Sequence, residues 1–346
     1  MSSDVATLVP YSARAKKPPR FPFPSFPTGW FQVAYADEVK VGEVKPLEYF
    51  GKQLVMFRSE SGKVSVLDAY CPHLGAHLGH GGKVVGESVE CPFHAWKFGT
   101  DGACTSVPYA QKIPPRSSLG CWPTREVNGV VMVWHDIDKN PPAWEVPEVP
   151  EFSSAEWTTP IRREWKIRTH NQETAENVVD KAHFRYLHGT QNMPDSMLEW
   201  DAHKVHMITP TTMKTPMGKV EGKVESNTTG LGFSTTRFTG IVETLLMGCP
   251  TPIDGELLHL RFTFTVRKIG VEDVMSNVAK AFVAEVARQL EQDKPVWENK
   301  VYLDRPLICD GDGPVGQFRR WANQFYPEWY KTEARAAYDA ARATAR

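Results

Sequence analysis

The first half of the chain alternates short apolar runs with turns. Residues 53–58 and 64–68 are rich in apolar and β-branched side chains, and a Ser–Gly turn at 61–62 separates them. No segment between residues 29 and 136 has the 3.6-residue period of an amphipathic helix. We therefore predict a small all-β domain with long loops over residues 29–140.

A proline-rich linker at 141–150 separates this region from one with a different pattern. Residues 174–187 have a helical pattern and 203–266 contains strand-like segments, which together favour the α+β class. Over 274–300 apolar side chains recur at steps of three or four residues, which predicts a long helix. We assign residues 151–330 to this second domain.

The two ends of the chain have patterns of their own. Prolines throughout residues 1–28 disfavour helix and central strand, so we predict an extended arm. The phenylalanines of this arm should lie against the rest of the protein, because their exposure would be unfavourable. Residues 331–346 are rich in Ala and Arg and predict a helical tail.

Composition narrows the classes of function. The 346 residues carry 40 Lys and Arg against 41 Asp and Glu, and a net charge of −1 argues against nucleic acid as the main partner. No apolar stretch approaches the roughly 18 residues of a transmembrane helix, and no secretory signal is visible. Six cysteines are too few for a disulfide scaffold, so we expect a reducing, cytoplasmic setting.

Two short motifs in the predicted β domain offer metal ligands. They are Cys71-Pro72-His73 and Cys91-Pro92-Phe93-His94. Two thiolates and two imidazoles can hold zinc or a [2Fe–2S] cluster, but zinc fingers group like ligands together. Here each loop offers one Cys and one His, which suits a Rieske centre, where one iron takes both Cys and the other both His. We predict such a centre at Cys71, His73, Cys91 and His94, with zinc as the alternative.

The other cysteines and nearby histidines have no ligand spacing. We expect His77 and His80 to be solvated loop residues. We expect the remaining cysteines to be small buried apolar residues; they are Cys104, Cys121, Cys249 and Cys309.

A second group of candidate ligands begins at His183 and His188, which lie five residues apart. They do not share a face of a regular helix, but they can converge if the helix ends near Leu187 and Gly189 allows the chain to turn. Two imidazoles and one carboxylate form the facial triad of non-haem Fe(II) oxygenases, which leaves coordination positions open. We predict an iron site here.

The third ligand must be a distant carboxylate. We choose Asp293 because it is an acid on the apolar face of the predicted helix at 274–300, and a metal offsets the unfavourable burial of a carboxylate. The alternatives are Glu298, Asp304, Asp310 and Asp312. We expect His203 and His206 to be surface or core residues.

With both motifs in this order, the chain resembles the oxygenase components of Rieske non-haem iron oxygenases over about residues 29–325. Stretches such as 91–96, 107–110, 131–136 and 291–300 are most similar to the 3-ketosteroid 9α-hydroxylase and cholesterol 7-desaturase branch. The resemblance implies an N-terminal Rieske domain of antiparallel sheets. It also implies a C-terminal helix-grip domain, in which an antiparallel sheet wraps around a long helix.

The same resemblance implies a head-to-tail homotrimer in which the cluster of one subunit serves the iron of its neighbour. We assign Asp180 as the bridge, a carboxylate bonded to His183 and to a cluster histidine of another subunit. The alternative is that Asp180 is an ordinary hydrogen-bond acceptor for His183. Asn177 is expected to point toward the iron.

The resulting expectation is a terminal monooxygenase that uses O2 to hydroxylate or desaturate a steroid-like apolar substrate. Its electrons would come from NAD(P)H through a flavin reductase, a ferredoxin or both. Within the family the alternative is an aromatic or small aliphatic substrate. From another class of protein, the alternative is a Rieske electron carrier fused to a lipid-binding domain.

Overall fold

The computed structural model describes residues 19–189, 195–215, 218–240, 242–268 and 272–344. The strands are β1 (Gly29–Tyr35), β2 (Val44–Tyr49), β3 (Lys52–Arg58), β4 (Val64–Asp68), β5 (Lys83–Val85), β6 (Ser88–Glu90), β7 (Lys97–Gly99), β8 (Cys104–Ser106), β9 (Cys121–Trp122), β10 (Thr124–Val127), β11 (Val130–His135), β12 (Ile161–Arg168), β13 (Met197–Asp201), β14 (Lys204–Thr215), β15 (Gly218–Thr229), β16 (Phe233–Phe238), β17 (Thr244–Pro252) and β18 (Leu257–Val266). The helices are α1 (Asn171–Glu176), α2 (Lys181–Tyr186), α3 (Glu272–Asn299), α4 (Val315–Ala322) and α5 (Glu328–Thr344). The predicted α+β class is confirmed.

The N-terminal half contains three antiparallel sheets. Their strand orders are β1-β11-β10, β2-β3-β4-β9 and β5-β6-β7-β8. The first two sheets share a core of fully buried side chains, which includes Phe31, Leu54 and Val131. Two loops carry the two Cys–His motifs. One connects β4 of the second sheet to β5 of the third, and the other connects the neighbouring strands β6 and β7 of the third sheet.

The C-terminal half is built on one seven-stranded antiparallel sheet with the order β12-β18-β17-β16-β15-β14-β13. The long helix α3 packs against β12 and β18. Leu290 and Trp297 of this helix lie against Ile167 and Leu260 of the sheet. The apolar period at 274–300 therefore indicated a real helix, which begins at Glu272 and continues past Pro295 to Asn299.

The predicted helix at 174–187 is wrong in one respect, because the structure has two short helices, α1 and α2, with a turn between them. Asp180 has the extended backbone of an N-cap, and its Oδ1 accepts from the His183 N–H at 3.3 Å. The turn also packs closely on Gly313, where a Cβ would lie 1.6 Å from the Val179 carbonyl oxygen. Capping by Asp180 and this tertiary contact together favour the break.

Arg261 of β18 joins the two halves. Its side chain is 4% exposed, and its guanidinium donates to the Gln32 carbonyl at 3.0 Å and to the Tyr49 hydroxyl at 2.7 Å. Thr251 of β17 also donates to the Gln32 carbonyl, at 2.6 Å. Buried charged groups of this kind are stable only with such partners.

The described part of the arm packs against the rest of the protein, and the described part of the tail is helical, as expected. In the arm Phe21 is buried, and Phe23 stacks on it and makes edge-to-face contacts with His170 and Tyr302. Arg20 donates to the carbonyl oxygens at the C-terminal end of α3. The tail forms helix α5, which begins at Glu328; residues 1–18 and 345–346 lie outside the described part of the chain.

We predict that Arg261→Ala lowers the free energy of unfolding by about 3 kcal/mol, because it removes the buried hydrogen bonds from the guanidinium to the Gln32 and Val33 carbonyls and to the Tyr49 hydroxyl. Denaturant unfolding followed by circular dichroism measures this. Arg288→Ala is the control, since Arg288 and its partner Glu285 are both half exposed, and it should cause no measurable change. Equal effects of the two variants would contradict the role of Arg261.

Candidate metal centres

The two Cys–His loops fold in the same way. In each loop the cysteine N–H donates to the carbonyl five residues later, and the cysteine carbonyl accepts from the N–H four residues later. These distances are 2.8 and 2.9 Å for Cys71, and 2.8 and 3.0 Å for Cys91. The fourth residue after each cysteine has a positive φ, 75° at Gly75 and 57° at Ala95. The two loops therefore hold their Cys–His pairs in the same backbone geometry.

The ligand side chains of these loops meet in like pairs, Cys71 with Cys91 and His73 with His94. Cys71 and Cys91 are free thiols, each 3% exposed, in one apolar cluster, and burial raises the pKa of Cys71 to about 11. The imidazole rings of His73 and His94 lie 4.6 Å apart and are half-buried. The buried Nδ1 of His94 has no partner among the described residues. Two buried thiols and two outer imidazoles, one with an unsatisfied nitrogen, fit a Rieske [2Fe–2S] cluster.

Two aromatic residues that the motif did not predict support this site. The indole of Trp96 stacks on His73, with ring centres 4.8 Å apart and planes 7° from parallel. Its Nε1–H donates to the hydroxyl of Tyr109 at 2.7 Å. Around the histidines, Leu74, Phe93 and Tyr109 are 64%, 60% and 62% exposed. An apolar tip of this kind is typical of an interaction surface.

The second site forms where α2 meets α3. His183 lies in α2, His188 follows the end of this helix, and Asp293 comes from α3. One ligand atom from each of the three residues lies within 4.8 Å of the others. The predicted helix end near Leu187 is confirmed, and Gly189 has a φ of 76°. Two imidazoles and a carboxylate at this separation could hold one metal ion.

Hydrogen bonds direct the two imidazoles. Nδ1 of His183 lies 2.6 Å from the backbone carbonyl of Asp180, and Nδ1 of His188 lies 3.2 Å from Oε1 of Gln292. Each acceptor favours a proton on Nδ1, which leaves the Nε2 lone pair free for a metal. Nε2 of His188 lies 3.4 Å from the Asp293 carboxylate. Gln292 was missed in the sequence, although it adjoins Asp293.

Asp293 is 8% exposed, and burial raises the pKa of its carboxyl group. Nearby His188 and His183 oppose this shift, and so does a hydrogen bond from Asn177. Asn177 in turn accepts from the indole N–H of Trp297 at 3.4 Å. A bound cation would stabilise this carboxylate in its charged form, so the donor set fits a metal.

Asp180 has a partly exposed carboxylate. This side chain is 43% exposed, whereas that of His183 is 12% exposed. Its backbone carbonyl, rather than its carboxylate, is the close acceptor for His183 Nδ1, because the carboxylate oxygen Oδ2 is 3.8 Å away. The hydrogen bonds from His183 lower the pKa of Asp180. The carboxylate is therefore charged and accessible to a further donor.

The other candidate residues serve elsewhere. Two of the alternative carboxylates accept from backbone N–H groups, Glu298 from that of Arg168 and Asp312 from that of Cys309. Asp304 forms an ion pair with Arg335, and Asp310 is exposed. His203 stacks on Trp144, and His206 pairs with Glu225. In the cluster loop, His77 accepts from the Gly79 N–H and His80 is exposed.

The prediction that the remaining cysteines are buried is wrong for Cys121 and Cys309, which are exposed. Cys104 is half-buried and Cys249 is buried.

An apolar cavity of about 130 Å³ lies between α1 and the sheet. Val178, Leu231, Phe262 and Trp297 are among its lining residues. The indole N–H of Trp297 also donates a hydrogen bond to Asn177, and the side chain of Asn177 is hydrogen-bonded to Asp293. The cavity therefore adjoins the candidate metal site.

Comparison with known families assigns both halves of the chain. Residues 29–123 match the Rieske [2Fe-2S] domain, and residues 133–326 match the 3-ketosteroid 9alpha-hydroxylase C-terminal domain. The chain therefore belongs to the Rieske oxygenases that carry this C-terminal domain. It is the oxygenase component, with a Rieske cluster and a non-haem iron, and it receives electrons from separate proteins.

Curated relatives support this membership. The chain is 34% identical over 328 residues to a 3-ketosteroid-9-alpha-monooxygenase oxygenase component of Rhodococcus rhodochrous, with 87% of this chain and 81% of the relative covered. It is 32% identical over 332 residues to cholesterol 7-desaturase of Xenopus laevis, with 88% of this chain and 72% of the relative covered.

Solved structures share the fold. NdmA of Pseudomonas putida CBB5 with caffeine superposes with a TM-score of 0.71 at 17% identity, covering 90% of this chain and 94% of that one. Dicamba monooxygenase bound to dicamba superposes with a TM-score of 0.67 at 16% identity, covering 88% of this chain and 98% of that one.

Among the described residues, no helix has the length and apolar character needed to cross a membrane.

We predict that Gln292→Leu weakens iron binding at the second site about tenfold, because His188 loses the acceptor that orients its ring. Iron retained after dialysis against a chelator measures this. Gln289→Ala, on the same helix, is the control, since Gln289 bonds to Glu285 and not to a histidine. Equal iron retention in the two variants would contradict the orienting role.

Proposed function

We propose that this chain hydroxylates or desaturates a steroid-like apolar substrate at a ferrous ion held by His183, His188 and Asp293. The observation that carries this proposal is the convergence of these three side chains beside an apolar cavity. The Rieske cluster is assigned to Cys71, His73, Cys91 and His94.

The proposed substrate class rests on two observations. The similar proteins from Rhodococcus and Xenopus are named for 3-ketosteroid and cholesterol chemistry. The cavity beside the triad is lined mainly by apolar and aromatic side chains, which suits an apolar ligand.

When bound, a cluster held by Cys71, His73, Cys91 and His94 would supply single electrons, and a ferrous ion held by the triad would offer open coordination positions for O2. The protein's own groups prepare this site. The Asp180 carbonyl and Gln292 hold protons on the Nδ1 atoms of the two histidines, and Asn177 bonds to the Asp293 carboxylate. Apolar side chains around the cavity exclude water and orient the substrate beside the three ligands.

We further propose a head-to-tail homotrimer, in which the cluster loops of one subunit meet Asp180 of the next. Two exposed features support it: the apolar tip formed by Leu74, Phe93 and Tyr109, and the accessible carboxylate of Asp180. The carboxylate would accept a hydrogen bond from a cluster histidine of the neighbouring subunit. Such a contact repeats around a ring and closes it. Flavin reductase, ferredoxin or both would supply the electrons.

Asp180→Ala should leave both metal sites loaded and reduce substrate-coupled O2 consumption at least 100-fold, because the bridge between subunits is lost. Asp180→Asn keeps an oxygen that can cap α2 and separates the loss of charge from the loss of the cap. Iron content, the cluster absorbance and product formation with the reductase are measured for each variant. Full coupled activity in Asp180→Ala would rule out the bridge.

The substrate class is tested by anaerobic binding to the iron-loaded enzyme. Steroids and sterols should bind and perturb the electron-spin-resonance signal of the nitric oxide complex of the ferrous site. Aromatic acids and small aliphatic acids should not. Selective binding and oxidation of an aromatic acid would favour the alternative substrate class. Absence of mononuclear iron and of substrate-dependent O2 consumption would favour an electron carrier.

A further inference from the structure

A row of residues crosses the floor of the cavity. Thr228 of β15 pairs with Ser234 of β16, Ser234 pairs with Gly248 of β17, and Gly248 pairs with Phe262 of β18. Residues directly opposite each other in an antiparallel sheet point to the same face. All four line the cavity beside the candidate iron site. The row therefore forms part of the surface that a substrate would contact.

Three hydroxyl groups line this cavity, and one of them lacks a partner. Thr174 donates to the Asn171 carbonyl at 2.9 Å, and Ser234 donates to the Gly248 carbonyl at 3.3 Å. The hydroxyl of Thr228 has no hydrogen-bond partner within the described part of the chain, although this residue is only 6% exposed. Buried hydroxyl groups are normally bonded. A ligand in the cavity could supply the missing partner.

Gly248 leaves space in the same row. A Cβ at this position would lie 3.0 Å from the Ser234 hydroxyl oxygen and 3.3 Å from the Phe262 ring. Gly248 does not have a positive φ, so its backbone conformation does not require glycine. The missing side chain instead keeps the floor of the cavity open next to Ser234.

The lining of the cavity limits the charge of its occupant. It contains no charged side chain among the residues that the structure describes. A carboxylate ligand would lose its hydration here without gaining a cationic partner. The lining therefore favours an uncharged ligand with an apolar skeleton and few polar atoms.

We propose that Thr228 binds an oxygen atom of the substrate, which is a neutral steroid-like molecule carrying a hydroxyl or keto group. This inference rests on the proposed function. A threonine hydroxyl can donate to a keto oxygen or accept from a hydroxyl, so it suits both groups. Thr228 is then a residue that determines specificity.

The test compares two ligands that carry one oxygen, cholesterol and cholest-4-en-3-one, with the hydrocarbon cholest-5-ene, which carries none. Their dissociation constants are measured by anaerobic equilibrium dialysis with the iron-loaded enzyme. Thr228→Val should weaken binding of the two oxygenated ligands about tenfold and leave binding of the hydrocarbon unchanged. Thr228→Ser keeps the hydroxyl and should stay within about threefold of the wild type. Equal effects of Thr228→Val on all three ligands, or no effect on any, would overturn the proposal.

Gly248→Ala is the matched control for shape. It should weaken all three ligands to a similar extent, because its methyl group narrows the floor and leaves the Thr228 hydroxyl in place. Unchanged binding of all three would show that the substrate does not occupy this cavity and would overturn the proposal. Circular dichroism and iron content confirm that each variant is folded and loaded.

Failure of the proposed steroid function can be distinguished from failure of the Thr228 contact by the ligands that the wild-type enzyme binds. A wild-type enzyme that binds none of the three steroids but binds p-cresol and toluene contradicts the steroid class. In that case the preference for p-cresol over toluene is compared between the wild type and Thr228→Val. Loss of this preference in the variant supports the contact between Thr228 and the ligand oxygen, and an unchanged preference overturns this contact. A wild-type enzyme that binds neither series contradicts both proposals.

Discussion

The Asp293 carboxylate is buried beside two imidazoles, and the groups that influence its charge are His188, His183, Asp180 and Asn177. None of these is a permanent cation, so the charged carboxylate is poorly stabilised by the protein alone. A metal ion would supply the missing positive charge, and hydrogen bonds from the Nδ1 atoms to Asp180 and Gln292 leave the Nε2 atoms of both histidines free to bind it. The sheet and α3 hold Asp293 against α2, and in this way the C-terminal fold brings the site together.

Contacts far from the metal ligands support the same arrangement. Arg20 of the N-terminal arm binds the carbonyl oxygens at the end of α3, the helix that carries Asp293. Arg261 ties the sheet beneath this helix to the N-terminal half. The cluster loops and Asp180 are both exposed, as the proposed contact between subunits requires. The structure of one chain thus provides rigid supports for each centre and accessible surfaces for their proposed contact.

Sequence alone predicted the parts of the structure that depend on local pattern. The Cys–His motifs lie in loops that share one backbone geometry, and the apolar period at 274–300 gave both the long helix and the choice of Asp293. The break between α1 and α2 was missed because it depends partly on the distant Gly313. The exposure of Cys121 and Cys309 was also missed, since residue type alone does not define the local environment. Gln292, Trp96 and Thr228 acquire their roles only through tertiary contacts, which no spacing in the sequence reveals.

The most direct test of the central claim is the iron and acid-labile sulfide content of the purified protein and of its His183→Ala variant. The account predicts three iron and two sulfide per chain in the wild type, two in the cluster and one at the triad. The variant should keep two iron and two sulfide, with an unchanged rhombic electron-spin-resonance signal after dithionite reduction. Three iron in the variant, or zinc with no sulfide in either protein, would contradict it.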